Sequence, residues 1–286
     1  MSGELPPPGL DHFQAEIAEV ALRAIGQHGF ALAGAGALVA HGVISRPTQD
    51  LDLFTPAEGG PGQAGAALLT ALTDAGCQVQ VLEPAEQHSG EFMRLQVHRG
   101  ESVVDIDLAR DWRQHPPVRM QVGPVLHIED AVASKVTAMI GRGLPRDYID
   151  VAAALHRYDR DDLLRLAFHR DPGLRVLDVA LCMRLLDRLP DAPFADYGLT
   201  DDDVGQIRHR MQTWPRDHEQ DHDGRRVHAE VHQQDRTSAA HLAAAAFPTP
   251  LHDALRQGTP AAELAPQPFE HPQPQADREP QYRRRP

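Results

Sequence analysis

Four aspartates fall in two short alternating runs, and their spacing is the strongest chemical signal in the chain. Asp50-Leu51-Asp52-Leu53-Phe54 and Val103-Val104-Asp105-Ile106-Asp107-Leu108 each read polar-apolar-polar. On a strand, residues i and i+2 share a face, so Asp50 projects beside Asp52, and Asp105 beside Asp107, while the intervening residues enter a core. Paired carboxylates repel unless a cation lies between them. Hard oxygen donors at this spacing suit Mg²⁺, held by one or two carboxylates plus substrate phosphates. If the two strands are neighbours, a third carboxylate completes a site for two metals about 3.5–4 Å apart, suited to phosphoryl transfer. Upstream, Gly34-Ala35-Gly36 sits where a strand passes into a helix. Small residues and free backbone N–H groups there let a phosphate approach.

A second signal comes from composition. All 28 basic residues but one are arginine, and the exception is Lys135. Arginine holds its proton in proteins, whereas lysine is a compact point charge. A lone lysine among arginines is a candidate functional cation; otherwise it is a surface lysine on an amphipathic helix.

The elements that must position these residues follow from periodicity. Residues 11–27 carry apolar residues at helical spacing and end at Gly29. FALAG is a buried strand candidate, followed by a small-residue helix and by the strand TQDLDLF. A Gly-rich loop leads to a helix over 63–75. Strands are expected at 77–83, 92–97 and 102–109, with a weaker one at 121–128. From 129 the period is helical, with helices near 129–141, 146–157, 160–169, 174–189 and 201–213. Residues 1–10 are Pro/Gly-rich and expected to be flexible. Residues 215–286 hold ten prolines and seven histidines with little apolar periodicity. They read as a low-complexity, disordered tail. The expected organisation is therefore an α/β (α+β) domain over 11–127 with a mixed, twisted sheet, a helical bundle domain over 128–214, and the tail.

Composition excludes several classes. The net charge of −13 disfavours a general polyanion-binding surface. Two cysteines, Cys77 and Cys182, cannot staple 286 residues and are expected in the core. No apolar run reaches a membrane span and no basic-then-apolar leader is visible, so a cytoplasmic setting is expected.

Segment 33–54, AGAGALVAHGVISRPTQDLDLF, resembles the nucleotidyltransferase signature of the DNA polymerase β superfamily, and more narrowly that of the AbiEii/AbiGii-type toxin nucleotidyltransferases. Gly34, Ala37, Leu38, His41, Arg46, Thr48, Asp50 and Asp52 carry the match. A second block, Ala133-Ser134-Lys135 through Arg142, Arg146, Asp147, Tyr148 and Asp150, is similar to that family's helical segment. The resemblance spans roughly residues 15–213. It implies an NTP-dependent enzyme that moves a nucleoside monophosphate to an acceptor, with Mg²⁺ (or Mn²⁺) on Asp50 and Asp52. Asp107 or Asp105 would be the third carboxylate, with Asp107 the closer local match. Gly34, Ala35, Gly36, Arg46, Thr48 and Arg146 would face the nucleotide. Lys135 would contact its phosphates, and Asp147 or Asp150 would support catalysis. The family further implies a toxin of a toxin–antitoxin or phage-defence pair, with a cognate antitoxin and an RNA acceptor such as the tRNA end.

Alternatives stay open at several positions. Arg46 reaches phosphate or pairs with a carboxylate. Arg146 binds phosphate or pairs with Asp150 at i,i+4. His41 reads as a structural helix-end residue. Ala35 departs from the family's Gly or Ser, which weakens the phosphate turn and leaves room for a non-catalytic relative. Nine arginines between 142 and 188 offer a path for RNA; a small-molecule acceptor is the competing reading. His218-Glu219-Gln220-Asp221-His222 fits H-E-x-x-H, but its flanks carry no apolar face to dock a helix, which leaves only adventitious metal binding by the tail.

Overall fold

The computed structural model describes residues 9–216. The expected tail, and all but the last two residues of the expected flexible start, lie outside the described residues apart from 215–216. The chain begins with α1 (His12–Ile25), where the Asp11 carboxylate accepts from Gln14 N and Gln14 reciprocally closes a capping box. Its buried stripe is Phe13, Ile17, Ala21, Leu22 and Ile25. Replacing Asp11 by Ala is expected to cost about 1 kcal/mol in a urea melt, the usual value of a lost N-cap.

Then come β1 (Ala31–Leu32), α2 (Gly34–Ala40), β2 (Asp50–Thr55), α3 (Gly60–Asp74), β3 (Gln78–Glu83), β4 (Phe92–Arg99), β5 (Ser102–Arg110), β6 (Val118–Met120) and β7 (Gly123–Val125). The strands form one seven-stranded sheet in the order β3-β4-β5-β2-β1-β7-β6. Pairs β2–β5 and β1–β7 are parallel and the others antiparallel, so the sheet is mixed as expected. The single strand expected at 121–128 is instead a short hairpin. A two-residue turn, Gln121-Val122, separates β6 from β7, and Gly123, which opens β7 opposite Met120, adopts φ +125°, which most side chains resist.

After Val125 every regular element described is helical: α4 (Ile128–Arg142), α5 (Pro145–Ala154), α6 (Arg160–Arg170), α7 (Val176–Arg188), α8 (Ala192–Ala195) and α9 (Asp201–Arg210). α4 packs against α2 and also against α5, α6 and α7. It is thus the bridge between sheet and helices. Gly143 (φ +60°) ends it, and Pro145 sits in the first turn of α5. The apolar core runs continuously from α1 and the sheet through α4 to Trp214. No described helix is long and apolar enough to cross a membrane.

Candidate functional site

The two aspartate-bearing strands lie side by side. Parallel pairing of β2 with β5 places Asp50 opposite Asp105 and Asp52 opposite Asp107. Leu51, Leu53, Ile106 and Leu108 are fully buried beneath them. One face therefore collects four carboxylates, as strand alternation requires.

The neighbouring strand β4 supplies their partners. Arg94, opposite Asp107, donates both Nε and Nη2 to its carboxylate at 2.6 Å each, and Gln96, opposite Asp105, donates Nε2 at 2.9 Å. Thr48 Oγ1 donates to the Asp50 carbonyl at 2.9 Å and lies 3.2 Å from its carboxylate. Among the described residues no cation pairs with Asp52 as Arg94 does with Asp107. Burial, then the charges of Asp50 and Asp107, push its carboxyl up to about 7, against a partial opposing pull from Lys135 and Arg142. Asp107, rather than Asp105, is the β5 carboxylate felt at Asp52.

Gly34 opens α2 at φ +52°, and a Cβ there would sit 1.7 Å from Asp52 Oδ2. The absent side chain is the space Asp52 occupies. Gly34→Ala is expected to cost about 1–3 kcal/mol through overpacking and backbone strain, and to depress any reaction that uses Asp52 even where the protein remains folded. Thermal melting and turnover measured on one preparation test this. Gly36 has a different reason. Its Cβ would meet Leu32 Cδ1 at 2.9 Å, so it lets helix pack on strand. Ala35 is buried in the first turn of α2.

A network of charges buried to varying degree faces the carboxylates from the helices. Lys135 and Arg142, seven residues apart on α4, lie on one face, as do Asp147 and Asp150 on α5. Lys135 Nζ is 3.3 Å from Asp147 Oδ1 and 3.0 Å from Asp150 Oδ2. Arg142 binds both oxygens of Asp147 at 2.8 and 2.9 Å. Arg46, from the loop before β2, binds both oxygens of Asp150 at 2.7 Å and lies over the Tyr197 ring. Burial alone would raise the Asp147 carboxyl; Arg142 and Lys135 together hold it below the usual carboxylate range.

Thus Arg46 takes the carboxylate-pairing alternative, with Asp150, 104 residues away. Asp150 is occupied by Arg46 and Lys135, not by Arg146, whose Nε is shielded from solvent without a hydrogen bond. His41 Nε2 lies 2.8 Å from the Leu126 carbonyl, tying the end of α2 to the residue after β7. Cys77 and Cys182 are buried and free. Arg94 and Gln96 were not among the sequence candidates. Only the β4–β5 register reveals them, although both sit at alternating positions in FMRLQV.

The class of the protein follows from comparison with known families. The nucleotidyl transferase model described as AbiEii toxin, type IV toxin–antitoxin system, matches residues 18–197. The chain belongs to this AbiEii family and is a nucleotidyltransferase of the toxin type. Among solved structures it is similar to MenT4, a nucleotidyltransferase toxin from Mycobacterium tuberculosis H37Rv. The two share 17% identity over 76% of this chain and 91% of that one, with a TM-score of 0.48. It is also similar to JHP933 from Helicobacter pylori, at 16% identity over 77% and 94%, with a TM-score of 0.45. No curated protein matches the chain.

Proposed function

We propose that the cleft between the β2–β5 face and α4–α5 binds an NTP with Mg²⁺ (Mn²⁺ as substitute) and transfers its nucleoside monophosphate to the end of an RNA, a tRNA in particular. The observation that carries this reading is Asp52. It lies among like charges, with no cation among the described residues paired to it, beside a glycine that makes room for it. The donor set, three or four hard carboxylate oxygens on one face, fits Mg²⁺ or Mn²⁺ better than a softer ion. Asp50, Asp52 and Asp107 would hold the metal, with Asp105 behind them on Gln96. A divalent cation bound there supplies charge neutralisation for the transferred phosphoryl group.

The protein's own groups do the positioning. An ammonium has three donors; Lys135 donates to Asp147, pairs by charge with Asp150, and keeps a donor for a phosphate oxygen. Asp147, doubly bound and held as carboxylate, orients Lys135 and Arg142 rather than moving a proton. Thr48 and Arg46 likewise act as positioning residues, for Asp50 and Asp150. Arg146 keeps donor capacity for the triphosphate. Gly34 brings backbone close to Asp52, and Ala35 offers its N–H in place of a family hydroxyl. Catalysis of this kind rests on alignment and electrostatics.

One observation favours a second reading, a small-molecule acceptor. Of the nine arginines proposed to receive RNA, seven already donate to protein groups: Arg142, Arg157, Arg160, Arg165, Arg170, Arg175 and Arg184. Labelled NTPs, Mg²⁺ and total RNA, with Asp52→Ala beside the parent, separate the two readings. Label in small RNA from the parent alone supports the RNA acceptor. Transfer seen only to a small hydroxyl compound overturns it. An antitoxin partner is implied by the family; co-purification with the product of the adjacent gene tests that.

A further inference from the structure

A second cluster of ligating groups stands apart from the carboxylate face. His115 lies in the β5–β6 connection, His127 is the N-cap of α4, and Glu129 is in that helix's first turn. One potential ligand atom from each lies within 4.8 Å of the others. The buried carboxylate of Asp130 makes this possible. It accepts from the backbone N–H groups of Gln114 and His115 at 2.8 and 2.9 Å, clamping the connection onto the start of α4.

His115 Nε2 is 3.2 Å from Glu129 Oε2, yet it is shielded from solvent and makes no hydrogen bond. The two atoms are close without being aligned for a shared proton. With bonds of about 2.0–2.2 Å, two ligands of a tetrahedral zinc ion lie about 3.3 Å apart, which is the spacing of the His115–Glu129 pair; His127 needs a small ring movement to join them. The His115 and His127 rings are tilted together with centroids 4.4 Å apart. His127 Nδ1 accepts only a long 3.3 Å bond from Glu129 N, which costs little to give up.

We propose that His115, His127 and Glu129 form a site for a zinc-class transition-metal ion, with a fourth position open to water. Two imidazoles and one carboxylate select Zn²⁺ or Co²⁺ over Mg²⁺. The site is distinct from the nucleotide cleft: Glu129 precedes Lys135 by six residues, about 9 Å along the helix. The ion fastens the connection after β5 to the helix that carries Lys135, so it braces the cleft and takes no part in the reaction. The proposal does not rest on the acceptor assigned above.

The test uses the full chain with Asp52→Asn and with the seven histidines after residue 217 changed to Ala, which removes competing ligands. Zn²⁺ is titrated after chelator stripping, and Co²⁺ serves as the spectroscopic probe. The expected result is one ion per chain, intense visible Co²⁺ bands of four-coordinate type, and a Zn²⁺-dependent rise in melting temperature. In the same background, His115→Gln and Glu129→Gln should each weaken Zn²⁺ binding by at least about tenfold. Melting without metal shows whether each variant is folded. Failure to bind one equivalent, a six-coordinate Co²⁺ spectrum, or affinity unchanged in a folded His115→Gln protein would overturn the site.

Discussion

Asp52→Asn is expected to melt about 3–6 °C above the parent in metal-free buffer at pH 8, and in the presence of Mg²⁺ its nucleotidyl transfer is expected to fall by about a thousandfold or more. The two effects have one origin. The folded protein raises the Asp52 carboxyl from its ordinary 3.8 to about 7, because the cleft desolvates it and Asp50 and Asp107 repel its charge. Above pH 7 the charged form is a burden on the fold that the unfolded chain does not carry. As pH falls from about 7 towards about 4, the folded state takes up a proton before the unfolded state does. Stability therefore rises across that window, and below it the contribution is constant. Asparagine removes the burden at every pH, so the difference in melting temperature should be greatest above pH 7 and shrink towards pH 5. A gain of 1–2 kcal/mol corresponds to roughly the shift stated for a chain of this size. The same charge should make Mg²⁺ stabilise the parent and leave the variant unmoved. The rate loss is the several kcal/mol of transition-state neutralisation that a lost ligand forfeits. Melting curves with and without Mg²⁺ at pH 5 and pH 8 decide the matter. Coincident curves for parent and variant at pH 8 would mean that the charge is already compensated by the protein.

Lys135→Met is expected to damage the fold strongly. Asp147 and Asp150 are fully buried, and Lys135 is the cation they share. Each keeps one arginine, but Asp147 is left with only the half-exposed Arg142 and Asp150 with only Arg46, and the acidic β2–β5 face loses an opposing charge. Removing one partner of a buried ion pair costs about 3–5 kcal/mol. That should appear as a fall of about 10 °C or more in melting temperature. Adding Asp147→Asn to Lys135→Met should recover part of the loss, since the half-exposed Arg142 can turn to solvent while Asp150 keeps Arg46. A double-mutant cycle by urea unfolding measures the coupling. Additive losses would refute a shared network.

How much of this was legible beforehand depends on the range of each interaction. The period-two alternation of DLDLF and VDIDL reports local geometry, and it put each pair of carboxylates on one face of its strand; that the two strands adjoin was a condition that only the sheet order supplies. The small-residue turn and the lone lysine were likewise visible as residue types. What periodicity could not supply was partnership. Arg46 and Asp150 meet only because α4 and α5 fold back over the loop before β2. Local match alone favours Asp107 over Asp105; the β2–β5 register puts Asp107 opposite Asp52. β6 was missed because Pro116 and Pro117 mask so short an edge segment. His115 and His127 are twelve residues apart with no shared period, and only the Asp130 clamp joins them.

The hairpin joining β4 to β5 acts as a ruler for the cleft. Arg99 pairs with Ser102 across a two-residue turn in which Gly100 comes first, at φ +62°, as in a type II′ turn. Five rungs on from that end, Gln96 has met Asp105 and Arg94 meets Asp107. Because side chains alternate with a period of two, a one-residue change in this turn would set Arg94 against an apolar neighbour and Asp107 against Met93 or Leu95. Lengths are therefore more tightly held in this small loop than its exposure suggests. Among relatives, variation is expected to accumulate at the outer strand β3, already irregular between Val81 and Glu83, before it touches the two residues of the turn.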